Sequence, residues 1–164
     1  CVSDCTALEV NPDFIGPAAL AKAYRFVGDP RDGQYKQRLK ELSEENGIWD
    51  CTRCFYCVEV CPKEVAPMEW IMELRDKAME AGFKNNYGAR HTLAFNESIK
   101  NSGHLNELLL PIKTFGFFNL PKLIGMLPVA IRAIRRGKIP PLIHKKNKDH
   151  KKISRIYKRL ESDK

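Results

Sequence analysis

The chain has 164 residues, 43% hydrophobic and 29% charged, with 28 Lys+Arg against 20 Asp+Glu and a formal net charge of +8. That length holds one domain with a modest core, or a small domain with extensions. The charge is unevenly placed: residues 1–131 carry 15 cations and 17 anions, a balance of −2, whereas residues 132–164 carry 13 and 3, a balance of +10. The longest uncharged apolar run, Ile124 to Ile131, is interrupted by Pro128 and is far too short for a membrane-spanning helix.

In chain order, Cys1 and Cys5 come first, followed by a loop rich in turn formers, Asn11 to Pro17. Pro17 suits the first position of a helix, Ala18 to Val27 favours one, and Gly28 closes it. After the turn Asp29 to Gly33, the residues Tyr35, Leu39 and Leu42 fall at i, i+4 and i+7. They predict an amphipathic helix from Gln34 to Asn46, stopped by Gly47. Pro67 and Gly82 bracket a further helix with Ile71, Leu74, Ala78 and Ala81 on one face, and Met68 and Trp70 are expected in the core rather than as redox relays. Gly88 to Gly103 encloses another helical stretch, with His91 and His104 expected as structural or surface residues. These helical segments predict an all-α fold.

Between the second and third of these helices lies Cys51-Thr-Arg-Cys54-Phe-Tyr-Cys57-Val-Glu-Val-Cys61-Pro62. This C-x2-C-x2-C-x3-C-P run has the bacterial ferredoxin spacing for an iron–sulfur cubane. Three thiolates two residues apart wrap three corners of one cluster, and the fourth, before the proline, points to a second cluster. A zinc site favours paired C-x2-C units separated by a longer span, and a disulfide framework needs a secreted context that nothing here supports. Two cubanes need eight thiolates and the chain has six cysteines. Cys1-x3-Cys5 is therefore expected to be the end of a second such run, cut within the motif, with two ligands upstream. Two helices separate Cys5 from Cys51, and a helical hairpin would return Cys5 to the cluster of Cys51, Cys54 and Cys57, leaving Cys61 for the other one.

Beyond Pro111 the texture changes to Thr114-Phe-Gly-Phe117-Phe118, then to Leu120, Leu123, Ile124, Leu127, Ile131 and Ile134 at near-helical spacing, with Pro121 and Pro128 keeping any helix short. Arg132, Arg135 and Arg136 adjoin the apolar residues, and the segment His144 to Lys164 adds eight further cations from Lys145 to Arg159. Such a pattern suits docking on a subunit or on anionic lipid, a solvated tail, or, with only Tyr157 to stack on bases, a nucleic acid.

The block Cys1-Val-Ser-Asp-Cys5, Asn11-Pro-Asp-Phe-Ile-Gly-Pro-Ala-Ala-Leu20, Ala23-Tyr-Arg-Phe26 and Asp29-Pro-Arg-Asp32, with Arg38-Leu39 and Cys57-Val-Glu-Val-Cys61-Pro-Lys63, resembles the iron–sulfur subunit of succinate dehydrogenase and fumarate reductase over residues 1 to about 82. The resemblance implies an α-helical ferredoxin domain over 1–82; the residue patterns beyond it are expected to form a helical extension over 83–118 and an amphipathic, basic tail over 119–164. It also implies three clusters, a plant-type 2Fe-2S centre in a domain N-terminal to this chain, a 4Fe-4S cluster, and a last cluster that is usually 3Fe-4S. In the family pattern Cys1 and Cys61 match ligands of the first 4Fe-4S cluster, and Cys5, Cys51 and Cys57 match those of the last. Cys54 stands where most members have a non-ligand, so a second 4Fe-4S cluster is expected in place of the three-iron form. Val10 and Thr52 replace a Trp and a His that lie near the quinone in typical members.

Gly88-Ala-Arg-His91 to Phe95 and Gly103 to Glu107 resemble the C-terminal region of heterodisulfide-reductase-type iron–sulfur subunits. The implied role is one-electron transfer between a flavoprotein subunit and a quinone or membrane-side partner, either a membrane anchor or a heterodisulfide-reductase-like subunit. No residue of this chain is expected to be catalytic. The implied location is peripheral, through 119–164, on the cytoplasmic face of a prokaryotic inner membrane. The rival reading is a subunit of a heterodisulfide-reductase-like or anaerobic glycerol-3-phosphate-dehydrogenase-like complex.

Overall fold

A computed structural model describes residues 1–116, 119–138 and 145–162. The expectations placed on Phe117, Phe118 and His144 lie outside the described residues. Among the described residues the regular elements are helices, with no strand, in agreement with the predicted all-α class. They form two compact units, Cys1–Ala89 and Arg90–Lys164.

The first unit contains α1 (Thr6–Val10), α2 (Pro17–Val27), α3 (Tyr35–Leu42), a 3-10 turn (Ile48–Asp50), α4 (Tyr56–Glu59) and α5 (Pro67–Glu80). Helix α2 starts on Pro17, whose missing N–H costs nothing at a helix start. It ends where the Gly28 N–H bonds the Tyr24 carbonyl at 2.8 Å. Its apolar side chains face α5, and α3 packs on both. Leu20, Leu39, Ile71, Leu74 and Ala78 are fully shielded where these helices meet, with Ala7, Phe14, Val27 and Ile48 completing the core. Each large aliphatic side chain so buried stabilises the fold by roughly 1.5–3 kcal/mol before the entropy of ordering it is subtracted.

Two expectations are corrected in this unit. Helix α3 stops at Leu42 instead of continuing to Asn46. Asn46 adopts a left-handed φ of 64° and is held by a loop distant in sequence: its side chain accepts a bond from the Asn11 amide at 2.8 Å, and its carbonyl accepts one from the Ile15 N–H at 3.0 Å. Those bonds compete with the helical ones and win. Trp70, expected in the core, is 37% exposed. Its ring stacks on Tyr24 at 4.8 Å and its indole N–H donates to the Val65 carbonyl at 2.7 Å, so it clasps the start of α5 to α2 from outside. Met68 is buried as expected.

The second unit contains most of α6 (Tyr87–Ser102), then α7 (Leu109–Phe115), α8 (Leu120–Gly125), α9 (Leu127–Arg135) and α10 (His150–Ser162). Pro121 and Pro128 each lie in the first turn of a separate short helix. Gly103, at φ 70°, follows α6 and leaves room for Asn147 and Ile153, whose atoms a side chain there would strike. The Asn147 N–H also bonds the Ser102 carbonyl at 2.8 Å, and Lys100 pairs with Glu161. His104 is exposed, and its carbonyl accepts bonds from the Ser98 and Ser102 hydroxyls. His91 is exposed and meets the buried Thr114 hydroxyl at 3.3 Å. No helix among the described residues is long and apolar enough to cross a membrane.

Candidate iron–sulfur site

The cysteine run folds as a chain of tight turns, not as one helix. Cys51 follows the 3-10 turn in an extended conformation, φ −63° and ψ 121°. Arg53 and Phe55, at φ 60° and 65°, are left-handed on either side of Cys54. Such a conformation costs a non-glycine residue on the order of 1 kcal/mol, and pairs of them curl the backbone around a small volume. Cys57 lies in the single turn of α4, where Val58 and Glu59 N–H groups bond the Phe55 carbonyl. Glu64 and Ala66, again left-handed at 51° and 50°, reverse the chain after Cys61 and feed it into α5.

Four of the predicted ligands come together. Cys5, Cys51, Cys54 and Cys57 line one recess whose other walls are apolar, chiefly Ala7, Phe14, Phe55, Met68 and Ile71. Cys5, at the start of α1, and Cys51 also pack against the core, so α2 and α3 form the hairpin that returns the first motif to the second. Burial pushes the Cys57 thiol up, the neighbouring Cys51 sulfur pushes it further, and the Met68 N–H draws it partly back. Cys54 is exposed, and the Thr6 hydroxyl, donating at 3.5 Å, is the main influence holding its thiol low. The Tyr56 N–H and, more weakly, the Thr52 hydroxyl act in the same direction.

The other two, Cys1 and Cys61, are not among the residues lining this recess. Cys61 accepts the Val65 N–H at 3.4 Å. That bond and one from Lys63 lower its thiol, with a smaller contribution from the amino group of Cys1. No three His, Cys, Asp or Glu side chains among the described residues converge as they would on a single metal ion. Four sulfurs around an apolar recess, with N–H and O–H donors aimed at them, match in type the donor set of an iron–sulfur cluster.

Arg75 gave no signal in the sequence. It is 3% exposed on α5, beneath the cysteine loop. Its Nε donates to the Ile48 carbonyl and its Nη2 to the Cys51 carbonyl, both at 2.8 Å, and the guanidinium lies 5.3 Å from the Trp49 ring centre. Thr6 gave no signal either: its reach to Cys54, 48 positions away, is a product of the fold.

Residues 1–65 match the family of the 4Fe-4S dicluster domain. The chain is 45% identical over 73 residues to the fumarate reductase iron–sulfur subunit of Escherichia coli, covering 44% of this chain and 30% of that protein. It is 33% identical over 144 residues to the 8-methylmenaquinol:fumarate reductase iron–sulfur subunit of Wolinella succinogenes, covering 87% and 44%. With the succinate dehydrogenase iron–sulfur subunit of Coxiella burnetii the identity is 37% over 81 residues, covering 49% and 34%. The chain thus spans between about a third and somewhat under half the length of these relatives. Over residues 1–65 it matches a 4Fe-4S dicluster domain, and it is similar to the iron–sulfur subunits of fumarate reductase and succinate dehydrogenase.

Proposed function

We propose that this chain is the electron-relay part of a succinate dehydrogenase or fumarate reductase complex, passing single electrons between a flavoprotein subunit and a membrane-side partner. The observation that carries this reading is the recess shared by Cys5, Cys51, Cys54 and Cys57. In it these four thiolates hold a 4Fe-4S cluster, while Cys1 and Cys61 supply two of the four ligands of another. A 2Fe-2S centre in a preceding domain completes the relay. Bound clusters supply reversible one-electron uptake and release.

The chain's own residues do the rest. The buried Met68 and Ile71 form the apolar wall behind the recess and lower the local dielectric on that side. Thr6 and Thr52 orient Cys54. Arg75 pins the backbone that presents Cys51. The substrate site belongs to the flavoprotein, and the relative aligned over most of this chain is named for an 8-methylmenaquinol, which favours a quinol on the membrane side. The partner there is a membrane anchor or a heterodisulfide-reductase-like subunit, and the location is peripheral at the cytoplasmic face of an inner membrane.

Stepwise reduction of anaerobically purified protein, followed by electron paramagnetic resonance, tests the assignment. Native protein is expected to show cubane signals and no 3Fe-4S signal, and Cys54→Ser to introduce a 3Fe-4S signal at the expense of a cubane one. A 3Fe-4S signal in undamaged native protein would refute the four-thiolate assignment.

A further inference from the structure

We propose that α8 and α9 form an interfacial foot that lies on an anionic lipid surface, deepening the peripheral location proposed above and resting on it. Along α9, Leu127, Ala130, Ile131 and Ile134 fall at i, i+3, i+4 and i+7 and make one apolar stripe. The three large side chains of that stripe are 52, 48 and 56% exposed. On α8, Leu120 and Ile124 share a face four residues apart and are 59 and 56% exposed. A soluble surface seldom leaves so many large aliphatic side chains together in water.

The charges beside them are of one sign. Arg135 borders the stripe, Arg132 and Arg136 occupy the polar face, and Lys138 follows, while no Asp or Glu occurs from Asn119 to Lys138. A surface that covers this segment must therefore bring negative charge together with apolar depth, which is the chemistry of an anionic bilayer interface. Two features favour lipid over a protein partner. The stripe amounts to about two turns on a nine-residue helix, whereas a stable protein interface takes roughly 20–30 residues a side. Helices of six and nine residues are too short to span a bilayer, which needs about 20, so the foot lies along the surface. Helix α10 differs: its Ile153 packs beside Gly103 and its Glu161 pairs with Lys100, so part of that helix is already committed within the unit.

The test is co-sedimentation of the full chain, clusters loaded, with vesicles of phosphatidylglycerol mixed with phosphatidylethanolamine, and with phosphatidylcholine vesicles as the neutral comparison. Binding is expected to the anionic vesicles only and to weaken with salt. Replacing Arg132, Arg135 and Arg136 together by Gln should weaken it by about a hundredfold, at roughly fivefold per cation. The paired change Ile131→Asn with Ile134→Asn should abolish it, and since both side chains are exposed, folding is spared. The proposal is overturned if the native chain does not sediment with anionic vesicles, or if the paired variant binds them as well as native. It is equally overturned if the same variant leaves vesicle binding alone but releases a purified partner subunit. The cluster resonances of the same samples report on the relay separately: failure of a cubane signal to appear on reduction would count against that reading and leave the lipid result standing.

Discussion

Replacing Arg75 by Lys keeps the charge and tests whether the forked geometry matters. The guanidinium donates to two buried carbonyls, of Ile48 and Cys51, both at 2.8 Å. Each bond is charge-assisted and contributes about 1.5–3 kcal/mol. A lysine ammonium on a shorter reach satisfies one carbonyl, not both, so Arg75→Lys should cost about 2 kcal/mol. Arg75→Leu loses both bonds, about 3–6 kcal/mol, but it also removes a buried cation. Burial lowers that cation's pKa to about 10, a desolvation cost of about 3 kcal/mol. The leucine variant is then expected at a net cost of about 0–3 kcal/mol, comparable with the lysine one, although it discards the whole charge. Guanidinium unfolding of cluster-loaded protein, followed by far-ultraviolet circular dichroism and by cluster absorbance, measures both. Because one of the two bonds anchors Cys51 and the other the turn just before it, absorbance should fall at a lower denaturant concentration than in native protein. If Arg75→Lys matches native stability to within about 0.5 kcal/mol, the two-carbonyl clasp does not hold the loop and the reasoning is wrong.

Gly47 and Gly33 give a contrast of close approach. A Cβ on Gly47 would collide with the Leu42 carbonyl oxygen, a backbone atom that cannot move away, while one on Gly33 meets nothing. Gly47→Ala should therefore cost at least about 1–3 kcal/mol, and Gly33→Ala should be neutral or slightly stabilising. Equal unfolding midpoints for the two would refute this. In cluster-free protein, iodoacetamide should label Cys54 and Cys61 before Cys57, read by mass spectrometry. The first two thiols are held low and Cys57 is pushed up, so as pH falls the thiolate persists longest at Cys54 and Cys61. Preferential labelling of Cys57 would contradict the burial of its side chain.

What the amino-acid sequence makes legible here is whatever local chemistry decides. Pro17 and Gly28 bound α2, Pro67 starts α5, and Pro121 and Pro128 divide α8 from α9, because a missing N–H or a missing Cβ acts within one turn of the chain. The cysteine spacing is legible for the same reason, since the cluster's corners set it. The end of α3, the exposure of Trp70, and the roles of Thr6 and Arg75 are not legible. Each depends on a partner far along the chain: Asn46 on Asn11, Trp70 on Tyr24, Thr6 on Cys54, and Arg75 on Ile48 and Cys51. A buried arginine in a helix carries no periodic signature until its acceptors are in place.

The cysteine recess and the hydrophobic core are parts of one packing problem. Ala7, Phe14 and Ile71 belong to the core and at the same time line the recess. A change in the volume of any of them must shift either the α2–α5 contact or the wall behind Cys5 and Cys51, because close-packed interiors leave no slack to absorb it. Cys5 is delivered by the first motif and Cys51, Cys54 and Cys57 by the second. Their meeting therefore depends on the α2–α3 hairpin keeping its length and angle. The early stop of α3 at Leu42, set by the Asn11–Asn46 bond, is then a condition of the site as much as of the fold, since four more residues of helix would carry the 3-10 turn and Cys51 about 6 Å further along the α3 axis.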